Sequence, residues 1–181
     1  GLSEVCAAVP TDSALIDLFW YERYVPPAAP GIPSTWTPHY VAFVLPGEAC
    51  AGPVRVDLGP AGPIDEDVRR FRDAISRDTP DPAARELRAR YRKALAARLH
   101  SNLFPPALQQ AIAGKPQLLI SPDGAIALLP FALLPGDDGH EFLVETRTIG
   151  YLPSGRDLLR IGAAPPATTG LLAVGDPAFD P

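Results

Sequence analysis

The stretch Leu118 to Pro135, LLISPDGAIALLPFALLP, limits the fold more than any other part of the chain. Its one charged residue is Asp123, within the turn text Pro122-Asp123-Gly124. A run with so little polar surface must be covered on more than one side, so it reads as buried scaffold packed between a sheet and helices. Gln117 to Ile120 is expected as a strand, Ser121 to Gly124 as the turn, and Ala125 to Leu129 as a returning strand. Proline presets φ in such a turn, and Gly124 tolerates a positive φ.

Upstream, Ser13 to Arg23 (SALIDLFWYER) is rich in aromatic and branched residues and reads as a strand. A Pro-rich loop follows over Val25 to Pro38, with Trp36 as its anchor. His39 to Leu45 and Val54 to Leu58 are two further strands, and the short connections favour antiparallel pairing. Ile64, Val68, Phe71 and Ile75 then share one helical face, with Asp65, Glu66 and Asp67 expected in the first turn near the positive dipole end. Asp81-Pro82 is an N-cap followed by proline at the first helical position, and Leu87, Tyr91, Leu95 and Leu99 form the expected buried face. A shorter helix runs from Pro105-Pro106 to just before Gly114.

After the apolar run, Gly136-Asp137-Asp138-Gly139 is a loop and Phe142 to Tyr151 is read as a strand. Ser154 caps a short helix over Asp157 to Ile161. AAPPATTG is a linker, and Leu171 to Val174 is a last strand ending at Gly175-Asp176-Pro177. Strands, helices and strands again give a mixed α/β fold, without internal repeats. The 181 residues suffice for one ordinary domain, or for one domain plus a fragment of a second.

Composition excludes several functions. The net charge of -5 argues against an extended nucleic-acid surface, although Arg85 to Arg98 is locally basic. No apolar run is long enough for a membrane span, and the N-terminus lacks the features of a signal peptide. Cys6 and Cys50 match neither a disulfide framework nor a zinc spacing, so both are expected as free thiols in a reducing cytoplasm. The chain has no methionine and starts at Gly1, which reads as a piece excised from a longer protein.

Nucleophilic chemistry needs a Cys or Ser with a base in reach. His39 at a strand start and His100 at a helix end are expected to be structural, and His140 to be solvated. Cys6 and Cys50 lie in no text that would lower a thiol pKa, and Asp137-Asp138 reads as loop solvation. A self-contained pair of Cys50 and His39 is a weaker alternative. No phosphate-loop, nucleophile-elbow or metal-ligand motif is present, so no catalytic, cofactor-binding or metal-binding residue is assigned and no cofactor is expected.

Five short motifs stand in a fixed order: Pro122-Asp123-Gly124, Leu129-Pro130-Phe131, Leu143-Val144-Glu145, Tyr151-Leu152-Pro153-Ser154 and Gly175-Asp176-Pro177. Their order and spacing resemble the CHAT domain family, caspase-like and separase-like modules associated with tetratricopeptide repeats. The upstream text, from ALIDLFWYE to VRRFR, is similar to the usual start of such domains. The resemblance implies that the catalytic His and Cys follow the Gly-Asp-Pro strand, in His-Gly and Ser-Ala-Cys segments that this chain does not contain. It implies residues 1–162 as the non-catalytic pseudo-protease half, with 163–181 as linker and first strand of a catalytic half. The implied setting is a bacterial, cytoplasmic signalling peptidase acting on a peptide or protein, with upstream repeats and the catalytic half as partners. A signalling scaffold without peptidase chemistry is the alternative.

Overall fold

The computed structural model describes residues 1–27, 29, 31–47, 52–77, 79–136, 139 and 141–161. A short helix α1 (Leu2–Ala8) leads into strands β1 (Ser13–Val25), β2 (Thr35–Pro46) and β3 (Val54–Pro60). Helices α2 (Ala61–Ser76), α3 (Pro82–Leu103) and α4 (Pro106–Ala111) follow, then β4 (Gln117–Ser121). Helix α5 (Leu143–Thr146), β5 (Thr148–Tyr151) and α6 (Leu158–Ile161) complete the described elements.

The sheet has five strands in the order β3-β2-β1-β4-β5. β1 to β3 pair antiparallel, as the short connections require, while β4 joins β1 and β5 joins β4 in parallel. Alternation along the strands divides the interior. Ala14, Ile16 and Leu18 of β1 and Leu118 and Ile120 of β4 face α2, α3 and α4 in the larger core. Leu15 and Leu119 face the other way, against Val5 and Val9 near α1 and Leu158 of α6. The apolar run beginning at Leu118 therefore needs cover on both sides, and has it.

The sequence reading holds for the caps. The Asp81 carboxylate accepts from Ala83 N at 3.1 Å, and Ser154 Oγ accepts from Arg156 N at 3.2 Å. Ile64, Val68 and Phe71 are buried on α2. That helix begins at Ala61, however, so Asp65 to Asp67 fall beyond its first turn. Their partners are specific instead. Asp65 accepts from Tyr40, Glu66 from Arg69 and Arg70, and Asp67 from Arg98 of α3.

Five other expectations are corrected. Ala125 to Leu129 does not return as a strand; Gly124–Leu128 is a 3-10 turn and Phe131–Leu133 another. Phe142 to Tyr151 splits into α5 and β5, because Glu145 Oε2 accepts from Phe142 N at 2.6 Å and closes a helical turn first. Trp36 lies within β2 rather than in a loop and stays 60% exposed, its ring 5.1 Å from Tyr24. Leu87 and Tyr91 are 71% and 47% exposed, since the first half of α3 buries no side chain and the helix enters the core only from Leu95 onward.

The fifth concerns Cys6, which is disulfide-bonded rather than free. Near it, the β1–β2 hairpin folds Gly47 back onto Pro10, just beyond the end of α1. Gly47 N donates to Ser13 O at 2.9 Å, and a β-carbon at Gly47 would overlap the Pro10 carbonyl. Cys50, the 163–181 segment with its expected strand at Leu171 to Val174, and Gly175-Asp176-Pro177 lie outside the described residues. No helix among the described residues is long and apolar enough to cross a membrane.

Candidate functional site

The carboxyl ends of parallel strands are the usual place for function in an α/β sheet, because loops diverge there and leave a crevice. Here β1, β4 and β5 run the same way. β4 ends in Pro122-Asp123-Gly124 and β5 in Leu152 to Arg156.

The β1 strand loses its neighbour at this point, since its pairing with β4 stops at Asp17–Ser121. Asp123 substitutes for the missing strand. Its Oδ2 accepts from Trp20 N at 3.0 Å, and its Oδ1 accepts from Gly124 N at 2.7 Å. A second hold comes from inside the core. The fully buried Tyr40 donates its hydroxyl to Asp65 Oδ1 at 2.8 Å and accepts from Ala125 N at 3.0 Å. Burial, reinforced by the Asp65 hydrogen bond, holds this phenol well above the usual tyrosine range, so it stays a donor. Gly124 has φ +57°, and a β-carbon there would run into the Tyr40 hydroxyl. Glycine is thus required twice, by backbone conformation and by close approach.

The turn, β1, β2 and α2 are joined in one clamp. Beneath it Ile126, Leu129 and Phe131 are buried, while Leu128, expected in the core, is 55% exposed. Phe131 packs edge-on to Phe104, just past the end of α3, with ring centroids 6.4 Å apart.

On the opposite face, Asp17 sits partly buried beside a cavity of about 530 Å³ lined by Leu15, Leu45, Gly155, Arg156 and Leu159. Burial raises the Asp17 pKa, a hydrogen bond from Ser121 works against that, and the Asp123 charge adds to it. Two carboxylates with one serine hydroxyl can accept hydrogen bonds and position a segment of chain, but they supply no nucleophile–base pair.

The candidate residues from sequence are scattered. His39 lies within β2, its Nδ1 3.0 Å from the Thr37 carbonyl oxygen, and its ring 5.9 Å from Tyr21. His100 stacks on Phe104 at 5.1 Å near the end of α3. Cys6 is taken up by its disulfide. Cys50, Asp137, Asp138 and His140 lie outside the described residues. Among the described residues, no group of three or more His, Cys, Asp or Glu could hold a metal ion.

Sequence reasoning missed Tyr40, Asp17 and Asp65. A charge set within the apolar strand SALIDLF was the available signal for Asp17. Nothing local marks Tyr40, whose role is created by residues 85 positions away.

The fold thus defines a mixed α/β domain whose apolar run is clamped at the carboxyl end of its parallel strands. The model of the CHAT domain family, a caspase-like peptidase-family module, matches residues 93–181, and it is to this family that the segment is similar. The match takes in the Pro122-Asp123-Gly124 turn and the capped Ser154 helix, while β1 to β3 and α2 precede it. No curated protein matches the chain.

Proposed function

We infer that this chain is the non-catalytic N-terminal half of a CHAT-type cysteine peptidase, carrying a catalytic half and connecting it to upstream regulatory repeats. One observation carries the reading: the residues that mark the family are committed to structure. Asp123 completes the β1 edge, Gly124 makes room for Tyr40, and Phe131 fills the core. Residues committed in this way hold a platform; a catalytic group needs a reactive atom open to substrate. On this reading 1–162 is the platform and 163–181 leads into the catalytic half, whose substrate is a peptide or protein.

The test is to read the parent coding sequence beyond Pro181 and to express the two parts separately and together. The expected result is peptide cleavage only when both are present, lost when the downstream cysteine is replaced by alanine. Cleavage by residues 1–181 alone would refute the reading. A parent without a downstream His and Cys would make the domain a scaffold instead.

A further inference from the structure

We propose that the groove between α2 and α3 is a docking surface for an acidic peptide segment carrying apolar side chains. The chain has a net charge of -5, yet six of its 16 basic residues lie between Arg85 and Arg98, against the single acid Glu86. The structure brings a second set from α2 beside them. Arg70 and Arg77 of α2 and Arg88 and Tyr91 of α3 line a depression of about 220 Å³, together with Asp73.

The positive charge there is only partly answered. Glu66 is shared by two guanidiniums, bonding Arg69 at 2.7 Å and Arg70 at 2.7 Å. Arg88 donates to the Arg77 carbonyl at 3.0 Å rather than to a carboxylate. Among the described residues, neither Arg77 nor Arg88 has an ion-pair partner. Screening by water weakens each such charge singly, but several of one sign around one concavity attract an opposite charge together.

The apolar part of the surface lies beside them. Leu87 and Tyr91 are one helical turn apart, so they form an exposed stripe along α3. A side chain as exposed as Leu87 in an otherwise charged helix gains by being covered. The same stripe separates a peptide from a nucleic acid, since Leu87 gives an apolar side chain of a peptide a contact that a phosphate backbone cannot use. The inference does not depend on the proposed peptidase role.

The experiment is fluorescence anisotropy with a labelled peptide of alternating glutamate and leucine, with a single-stranded oligonucleotide of equal length as comparison. The peptide is expected to bind the 181-residue chain and to weaken as salt is raised. Arg77→Glu should weaken it about tenfold and Leu87→Ser about threefold, both with unchanged melting temperature, since both side chains are exposed. Absence of peptide binding, indifference to both substitutions, or tighter binding of the oligonucleotide would each overturn the proposal.

Discussion

The two faces of the sheet are held by different means. On the α2–α4 side, a large cluster from Ala14 to Leu143 encloses Tyr40, Phe71, Leu99 and Phe131, and buried polar groups find partners there. On the α1–α6 side, the cluster is small: Val5, Val9, Leu15, Leu45, Leu119, Leu152 and Leu158. That side is cross-linked through Cys6 and leaves Phe19 exposed. The difference shows where the domain gets its stability. The first face folds by burying a large apolar cluster, whereas the second buries few side chains and carries a covalent cross-link.

This contrast can be broken by substitution. Phe131→Ala should cost about 3–5 kcal/mol by loss of burial and creation of a cavity, measured by chemical denaturation. A change below about 1 kcal/mol would mean that the α2–α4 side is not the stabilising face. Paired leucine truncations sharpen the comparison: Leu99→Ala is expected to cost about 4 kcal/mol and Leu158→Ala about 2 kcal/mol, because the sparse face can relax around the gap. Equal losses would erase the distinction. Asp123→Ala should cost about 1–2 kcal/mol, by leaving the Trp20 and Gly124 amides without their acceptor. Amide exchange at Trp20 should accelerate in the same variant.

The smallest effect is pH-dependent and belongs to the sparse face. Burial raises the Asp17 pKa above its ordinary value of 3.8, so in that range the folded chain keeps a proton that the unfolded chain releases. Stability therefore falls as pH rises from the unfolded value through the folded one. Asp17→Asn removes the penalty while keeping an acceptor for Ser121. Its melting temperature should exceed that of the parent at neutral pH, and the gap should close at acid pH, where Asp17 is protonated in both states. A gap that widened on acidification would reverse the assignment.

Several of these features were legible in sequence. The Asp81 and Ser154 caps and the α2 face were visible, because caps and periodicity are local. The antiparallel opening was visible because its connections are short. The turn at Pro122 to Gly124 was visible too, but its direction was not. AIALL suits a strand or a 3-10 turn equally, and Tyr40, from a distant strand, decides by bonding Ala125 N. Leu87 and Tyr91 keep a helical spacing that promises burial, yet α3 buries only Leu95, Ala96, Leu99 and Leu103, all in its second half. The clamp shares this property, since it arises only once β2 and β4 have paired on either side of β1.

The central claim is that the family-marking turn is a structural clamp on Tyr40, and a double-mutant cycle tests it most directly. Gly124→Ala should cost about 2 kcal/mol or more in the parent, from its positive φ and the overlap with the Tyr40 hydroxyl. In a Tyr40→Phe background the hydroxyl is gone, and the same substitution should cost measurably less, with the backbone strain and the milder crowding at the ring edge left. An identical cost in both backgrounds would contradict the clamp.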